Sequence, residues 1–236
     1  MKENEPTVGL PLPLRMTEMA VGLAALALGT VLMIRAGLGQ STGTAMLSVL
    51  SGITGVRVGT LMMEMFVLFI LGQLSILKKN FSPRHAAQLA VAWIQGSLVN
   101  YFQYDCPPLQ ELHPSGYAFA WILLCIGLTL MSFGSSAIIC ANLVQMPVEG
   151  FALVFSQRFE HNFGTVRQMI DVAWTALAVI GLLATGQPST IREGTLFCVL
   201  VLGRSMNYTR RIICRAEQWF SRRFCQAGKK TGCSSA

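Results

Sequence analysis

The chain has 236 residues, of which 53% are apolar and only 12% charged, with a formal net charge of +7 and a mean hydropathy of +0.53. Soluble domains carry roughly 25% charged residues, and a membrane crossing takes about 20 residues. A soluble enzyme with a separate catalytic domain, a disordered chain and a disulfide scaffold are all excluded.

Residues 1–15 read as a cytoplasmic tail. The first apolar run covers 16–36; Ala25, Leu26 and Ala27 resemble a cleavage site, but the run continues to Ile34, which argues against a signal peptide. A segment at 41–54 follows, apolar but short and broken by Gly and Ser. Runs at 58–77 and 86–103 complete a first unit, 16–103. The loop 104–116 carries Asp105, Glu111, His113 and three prolines but no Lys or Arg, as an external loop should. A second unit, 117–208, repeats the order: a run at 117–140, a short segment at 147–158, then runs at 164–185 and 192–208. The expected fold is all-α integral membrane, with six transmembrane helices and two short half-helices. Tilted short spans making eight crossings are the alternative. Charge favours six. Lys and Arg accumulate on the cytoplasmic side, and with an internal N-terminus only Arg35, Arg57 and Arg192 of the 18 basic residues fall outside. Eight crossings would also move Lys78, Lys79 and Arg84 outside.

Segments 37–60 and 142–165 align without a gap, with Leu38/Leu143, Gln40/Gln145, Ser51/Ser156, Gly59/Gly164 and Thr60/Thr165 coinciding. Each follows a similar helix, in which the run Gly29 to Met33 matches Gly127 to Met131. Three crossings per unit is odd, so the second unit would enter the bilayer upside down. Such 3+3 inverted repeats with interrupted helices are a common transporter architecture.

The run from Arg35 to Gln40, the Thr54 to Thr60 segment, Met146 to Gly150, and Phe163 to Asp171 together resemble the YczE/YitT-type bacterial multi-pass membrane proteins, a domain-of-unknown-function branch in particular. The resemblance covers about residues 16–208. The family often has a proline shortly after the first Gly-Leu-Gly, where this chain has Ser41 and Thr42; near the end it tends to be Gly-rich, where this chain has Ile191, Arg192 and Glu193 before Gly194. The resemblance implies a fold and a bacterial inner-membrane location, and no activity.

An ionisable group at membrane depth costs about 2.5–3.5 kcal/mol and needs a partner or a purpose. Glu64, Glu149, Arg167 and Asp171 are the candidates. Glu149 follows Pro147 at the start of the second half-helix, where it either caps the helix dipole or serves a solute or proton. Arg167 and Asp171, at i and i+4, can pair on one helix face, with Arg167 snorkelling to the interface. Glu64 has no cation within a turn, so it faces the bundle interior or titrates. Gln40, Ser41, Thr42 and Thr44 gather at the first half-helix, with Gln145 the repeat partner of Gln40. Free N–H groups there suit an anion, while ordinary Ser/Thr capping needs no ligand. Gln88, Gln95, Ser97 and Asn100 could line a path or bond between helices.

After 208, Ile212, Ile213, Ala216, Trp219, Phe220 and Phe224 share one helical face and Arg211, Arg215 and Arg222 another. This basic tail, 209–236, reads as lying on anionic lipid in preference to nucleic acid. The seven cysteines and three histidines have no zinc-ligand spacing, and no phosphate-binding loop or Ser-His-Asp order is present, so neither metal nor cofactor is expected. The expected function is a carrier or facilitator for a small polar or anionic solute, with its site near the midplane at the two half-helices. A non-transporting scaffold or regulatory protein is the alternative, and a membrane-embedded enzyme the third class. Homo-oligomerisation is left open.

Overall fold

A computed structural model describes residues 11–78, 82–185, 193–198, 200–202, 205, 206, 208–213 and 215. Most of the basic tail, Trp219, Phe220, Arg222 and Phe224 included, lies outside the described residues, as does Arg192. The described chain is all-helical: α1 Leu12–Ala36, α2 Thr42–Thr54, α3 Val58–Leu77, α4 Pro83–Asn100 running into a π turn at Tyr101–Asp105, α5 Pro107–Gln110, α6 Tyr117–Ala141, α7 Pro147–Phe159 and α8 Phe163–Thr185. A shorter apolar helix, α9, covers Glu193–Leu202.

Four of these, α1, α3, α6 and α8, are long and apolar enough to cross a membrane. The expected third and sixth crossings correspond to α4 and α9. α4 has the length but turns Gln88 and Gln95 inward, which lowers its hydropathy. α9, as described, is too short to count among them.

Helix ends follow local chemistry. Proline at the first or second position opens α1, α4, α5 and α7, where its missing N–H and fixed φ cost nothing. The Ser82 and His85 side chains form a reciprocal cap on α4. α1 and α2 close on Gly37 (φ 66) and Gly55 (φ 72), and α6 and α7 on Asn142 (φ 46) and Glu160 (φ 56), all left-handed stops that turn the chain sharply.

These features recur at one interval of 105 residues (12 to 117, 42 to 147, 58 to 163). α1 and α6 each have 25 residues, and α2 and α7 each have 13. The left-handed stops obey it too, from Gly37 to Asn142 and from Gly55 to Glu160.

The centre of the molecule is the α1–α6 crossing, the most extensive helix pair. A Cβ on Gly29 would stand 2.6 Å from the Gly127 carbonyl oxygen, and one on Gly22 3.0 Å from that of Gly134. Later residues of one helix meet earlier residues of the other, so the two run antiparallel at close approach, as small residues permit. Arg15 closes the same pair at one end, donating to the last carbonyls of α6, Ala141 (2.8 Å) and Asn142 (2.7 Å). Gly29 and Gly127, matched in the sequence, touch each other. By the common interval Gly29 corresponds to Gly134 and Gly22 to Gly127. The glycines in each helix lie about two turns apart, so a slip of two turns still sets glycine on glycine, and there Leu32 and Met33 also meet Leu130 and Met131.

α3 packs antiparallel on α4 and against α7, while α2 packs on α8. Asn100 anchors the start of α3: its Oδ1 accepts from the Gly59 N–H (2.9 Å) and its amide donates to Thr60 (3.0 Å). Two of the basic residues expected outside also have local partners. Arg35 donates to the Gln103 carbonyl (2.6 Å); Arg57 pairs with Asp105 (3.3 Å) and lies 5.2 Å from the Tyr104 ring centre.

Candidate functional site

The break between α1 and α2 is held open by the start of α9. Gly194 N–H donates to the Leu38 carbonyl (2.9 Å) and Gln40 N–H to Thr195 Oγ1 (3.3 Å). Gly39 has φ 135, and a Cβ there would fall 2.3 Å from the Thr195 nitrogen, so only glycine lets the two segments approach. The extended stretch delivers Ser41 and Thr42 to the beginning of α2.

Ser41 makes no capping bond to the helix backbone; its hydroxyl pairs with that of Thr44 (2.9 Å). Thr42 instead donates to Asp171 Oδ1 on α8 (2.9 Å), which also accepts from Arg167 (2.5 Å). The positive end of the α2 dipole is therefore met by a carboxylate from another helix. Arg167 lies 5.4 Å from the Trp174 ring centre, and the edge of that ring fills the space beside Gly43, where a Cβ would stand 2.8 Å from it.

The start of α7 is built differently. Its flanking residue Met146 offers no cap, and Pro147 opens the helix. Gln73 of α3, fully buried, donates through one amide nitrogen to both the Pro147 carbonyl (3.1 Å) and Gln88 Oε1 on α4 (2.9 Å). A Cβ on Gly150 would stand 2.7 Å from Gln88 Nε2 and 3.2 Å from the Gln73 amide atoms. Glu149 lies in this first turn, and α7 packs on α8, the helix that carries Arg167 and Asp171. Its Oε2 is buried and makes no hydrogen bond among the described residues.

An aromatic group joins the two ends. Trp174 stands edge-on to Phe69 of α3 (5.8 Å between ring centres), and Phe69 packs on Phe151 of α7 (5.2 Å). On another flank of α2 a cleft of about 350 Å³ is lined by Gly37, Gly39, Gln40, Ser48, Ser51 and Gly52; Gln40 is held there by Ser48, which donates to its Oε1 (2.8 Å).

The structure thus brings Thr42, Asp171, Arg167 and Glu149 into one electrostatic group, with Ser41 and Thr44 beside Thr42. Gln40 belongs to the cleft. Gln145 is exposed ahead of α7, and Glu64 is exposed on α3, outside the bundle interior. Gln88 joins the amide cluster, while Asn100 anchors α3 at the opposite end of α4. Sequence reasoning missed Gln73, Trp174 and Gly150. Gln73 had a visible signal, as a lone amide inside an otherwise apolar crossing; Trp174, one turn beyond Asp171, reads as ordinary core.

The family model for DUF6198, a family of unknown function, matches residues 13–211. The chain belongs to that family of membrane-helix proteins. The match concerns this family alone and does not bear on the YczE/YitT resemblance. No curated protein and no solved structure matches the chain.

Proposed function

We propose that this chain is a bacterial inner-membrane carrier or facilitator for a small polar solute, built as six crossings and two half-helices in a 3+3 inverted repeat, with both termini cytoplasmic. The common interval supports the repeat. Its operation exchanges Gly22 with Gly127 and Gly29 with Gly134, across helices that run antiparallel; a two-fold axis relating antiparallel crossings lies in the membrane plane. It also relates α9 to the 88–97 stretch of α4, which supports a sixth crossing.

The observation that carries the transport reading is the aromatic bridge between the two half-helices. Gly43 of α2 packs on Trp174, and Phe151 of α7 packs on Phe69, Trp174's touching partner; Phe69 and Trp174 are themselves one interval apart. Broken helices meeting at the midplane are how inverted-repeat transporters form their sites. Each half-helix start already carries an acid, Asp171 at α2 and Glu149 at α7, so a neutral or cationic solute suits the site better than the anion expected from bare helix ends. The basic tail would rest on anionic lipid.

A non-transporting scaffold or regulatory protein is the second reading. The closed network of Thr42, Asp171 and Arg167 favours it, since such a network needs no ligand. Stopped-flow swelling of proteoliposomes containing the full chain, with a panel of neutral, cationic and anionic solutes, separates the two. Acceleration of at least one solute over protein-free vesicles is expected. No acceleration for any solute, together with no ligand-induced thermal shift, transfers the case to the scaffold.

A further inference from the structure

Two hydrogen-bond acceptors at the first turn of α7 have no partner among the described residues. Glu149 Oε2 and Gln73 Oε1 are both buried without a partner. The orientation of the Gln73 amide is fixed, because its nitrogen donates to two acceptors, Gln88 Oε1 and the Pro147 carbonyl; flipping it would lose both bonds. Its oxygen is left with two free lone pairs. Gln95, about two turns further along the same α4 face as Gln88, also leaves its Oε1 unpaired and buried. Leaving a buried acceptor unpaired is costly, and the two at the α7 start call for a donor.

Charge points the same way. Two carboxyl groups, Glu149 and Asp171, face one guanidinium, Arg167, which is bonded to Asp171, so Glu149 has no ion-pair partner of its own among the described residues. No group of three or more His, Cys, Asp or Glu comes together among the described residues, so the place lacks the carboxylate cage of a divalent metal.

Resting on the carrier reading above, we propose that the solute is a small monovalent cation carrying N–H donors, ammonium or a primary amine, received by Glu149 Oε2 and Gln73 Oε1 at the first turn of α7. Gly150 lets the amides of Gln73 and Gln88 sit against this turn: a methyl there would press on both.

Methylammonium serves as the probe, with the full chain in proteoliposomes and in detergent. Protein-dependent uptake of labelled methylammonium is expected, with a rise in melting temperature over equal concentrations of sodium chloride. Glu149→Gln should lower uptake at least tenfold, and Gly150→Ala, which leaves every ionisable group in place, several-fold; Glu111→Gln, in the loop after α5, should leave it unchanged. If Glu149→Gln fails to fold, Gly150→Ala and the choice between methylammonium and sodium decide the matter. Stabilisation by sodium equal to that by methylammonium overturns the requirement for N–H donors. Transport of acetate or a neutral solute, without methylammonium, overturns the cation inference and leaves the carrier standing; no transport of any solute defeats both.

Discussion

The two half-helices share a backbone and differ in how their positive ends are met. At α2 the carboxylate comes from α8, and Asp171 Oδ1 accepts from both Thr42 and Arg167. At α7 the carboxylate is the helix's own Glu149, with one oxygen left without a donor. The comparison separates architecture from chemistry. One backbone plan gives one helix end that is closed by side chains and one that is open.

The largest predicted effect falls on what the two ends share. Trp174→Ala removes the ring that Gly43 and Phe69 both pack on, and large-to-small changes of this kind cost about 3–5 kcal/mol. Unfolding in mixed detergent micelles should show that loss; a cost under about 1 kcal/mol would mean the two ends are not mechanically joined. Next comes the α1–α6 crossing. Gly29→Ala and Gly134→Ala each push a methyl against backbone of the other helix, at 2.6 and 2.5 Å, an overpacking worth about 1–3 kcal/mol. The two variants should lose stability to similar degrees, since they are counterparts. A loss confined to one of them would break the symmetry on which the comparison rests.

Asp171→Asn sharpens the contrast from the closed side. The Arg167–Asp171 pair is about one-third exposed, and such i, i+4 pairs contribute about 0.3–0.5 kcal/mol, so stability should fall only slightly. Freed from Asp171, Arg167 can turn to Glu149, and methylammonium uptake should drop; unchanged uptake would uncouple the two ends. The smallest effect is expected at Glu64. It shares an exposed α3 face with Leu68 and Leu71, and Glu64→Gln should leave transport intact and stability equal or slightly higher, because the cost of a charge in an apolar setting disappears. Loss of transport in a well-folded Glu64→Gln would move the site away from the half-helices.

Much of the architecture is legible in the sequence because Gly and Pro punctuate it. The 58–77 run is α3 without adjustment, and Pro147 opens α7 where expected. α4 starts three residues before the predicted run because Pro83, Arg84 and His85 are not apolar, and the π turn after it has no periodic signature. The site was half legible. Thr42, Glu149, Arg167 and Asp171 stood out as polar groups at membrane depth. The Arg167–Asp171 pair was legible from its i, i+4 spacing; its link to Thr42 was not, since Thr42 and Asp171 meet only when α2 crosses to α8 in the other unit. Gln73 was passed over for a physical reason: one amide barely alters the hydropathy of an apolar helix, yet its fixed orientation decides which ligand chemistry the α7 end will accept.

The central claim is that α2 and α7 enter the membrane from opposite faces, and their outer ends test it most directly. Ile53 and Arg158 lie one interval apart, both exposed near the last turns of α2 and α7. In a cysteine-free background, Ile53→Cys and Arg158→Cys would be treated with a membrane-impermeant maleimide on intact cells and again after permeabilisation. Ile53→Cys should react in intact cells and Arg158→Cys only once the membrane is opened. Reaction of both from the same side would contradict the inverted arrangement and, with it, the carrier built on that arrangement.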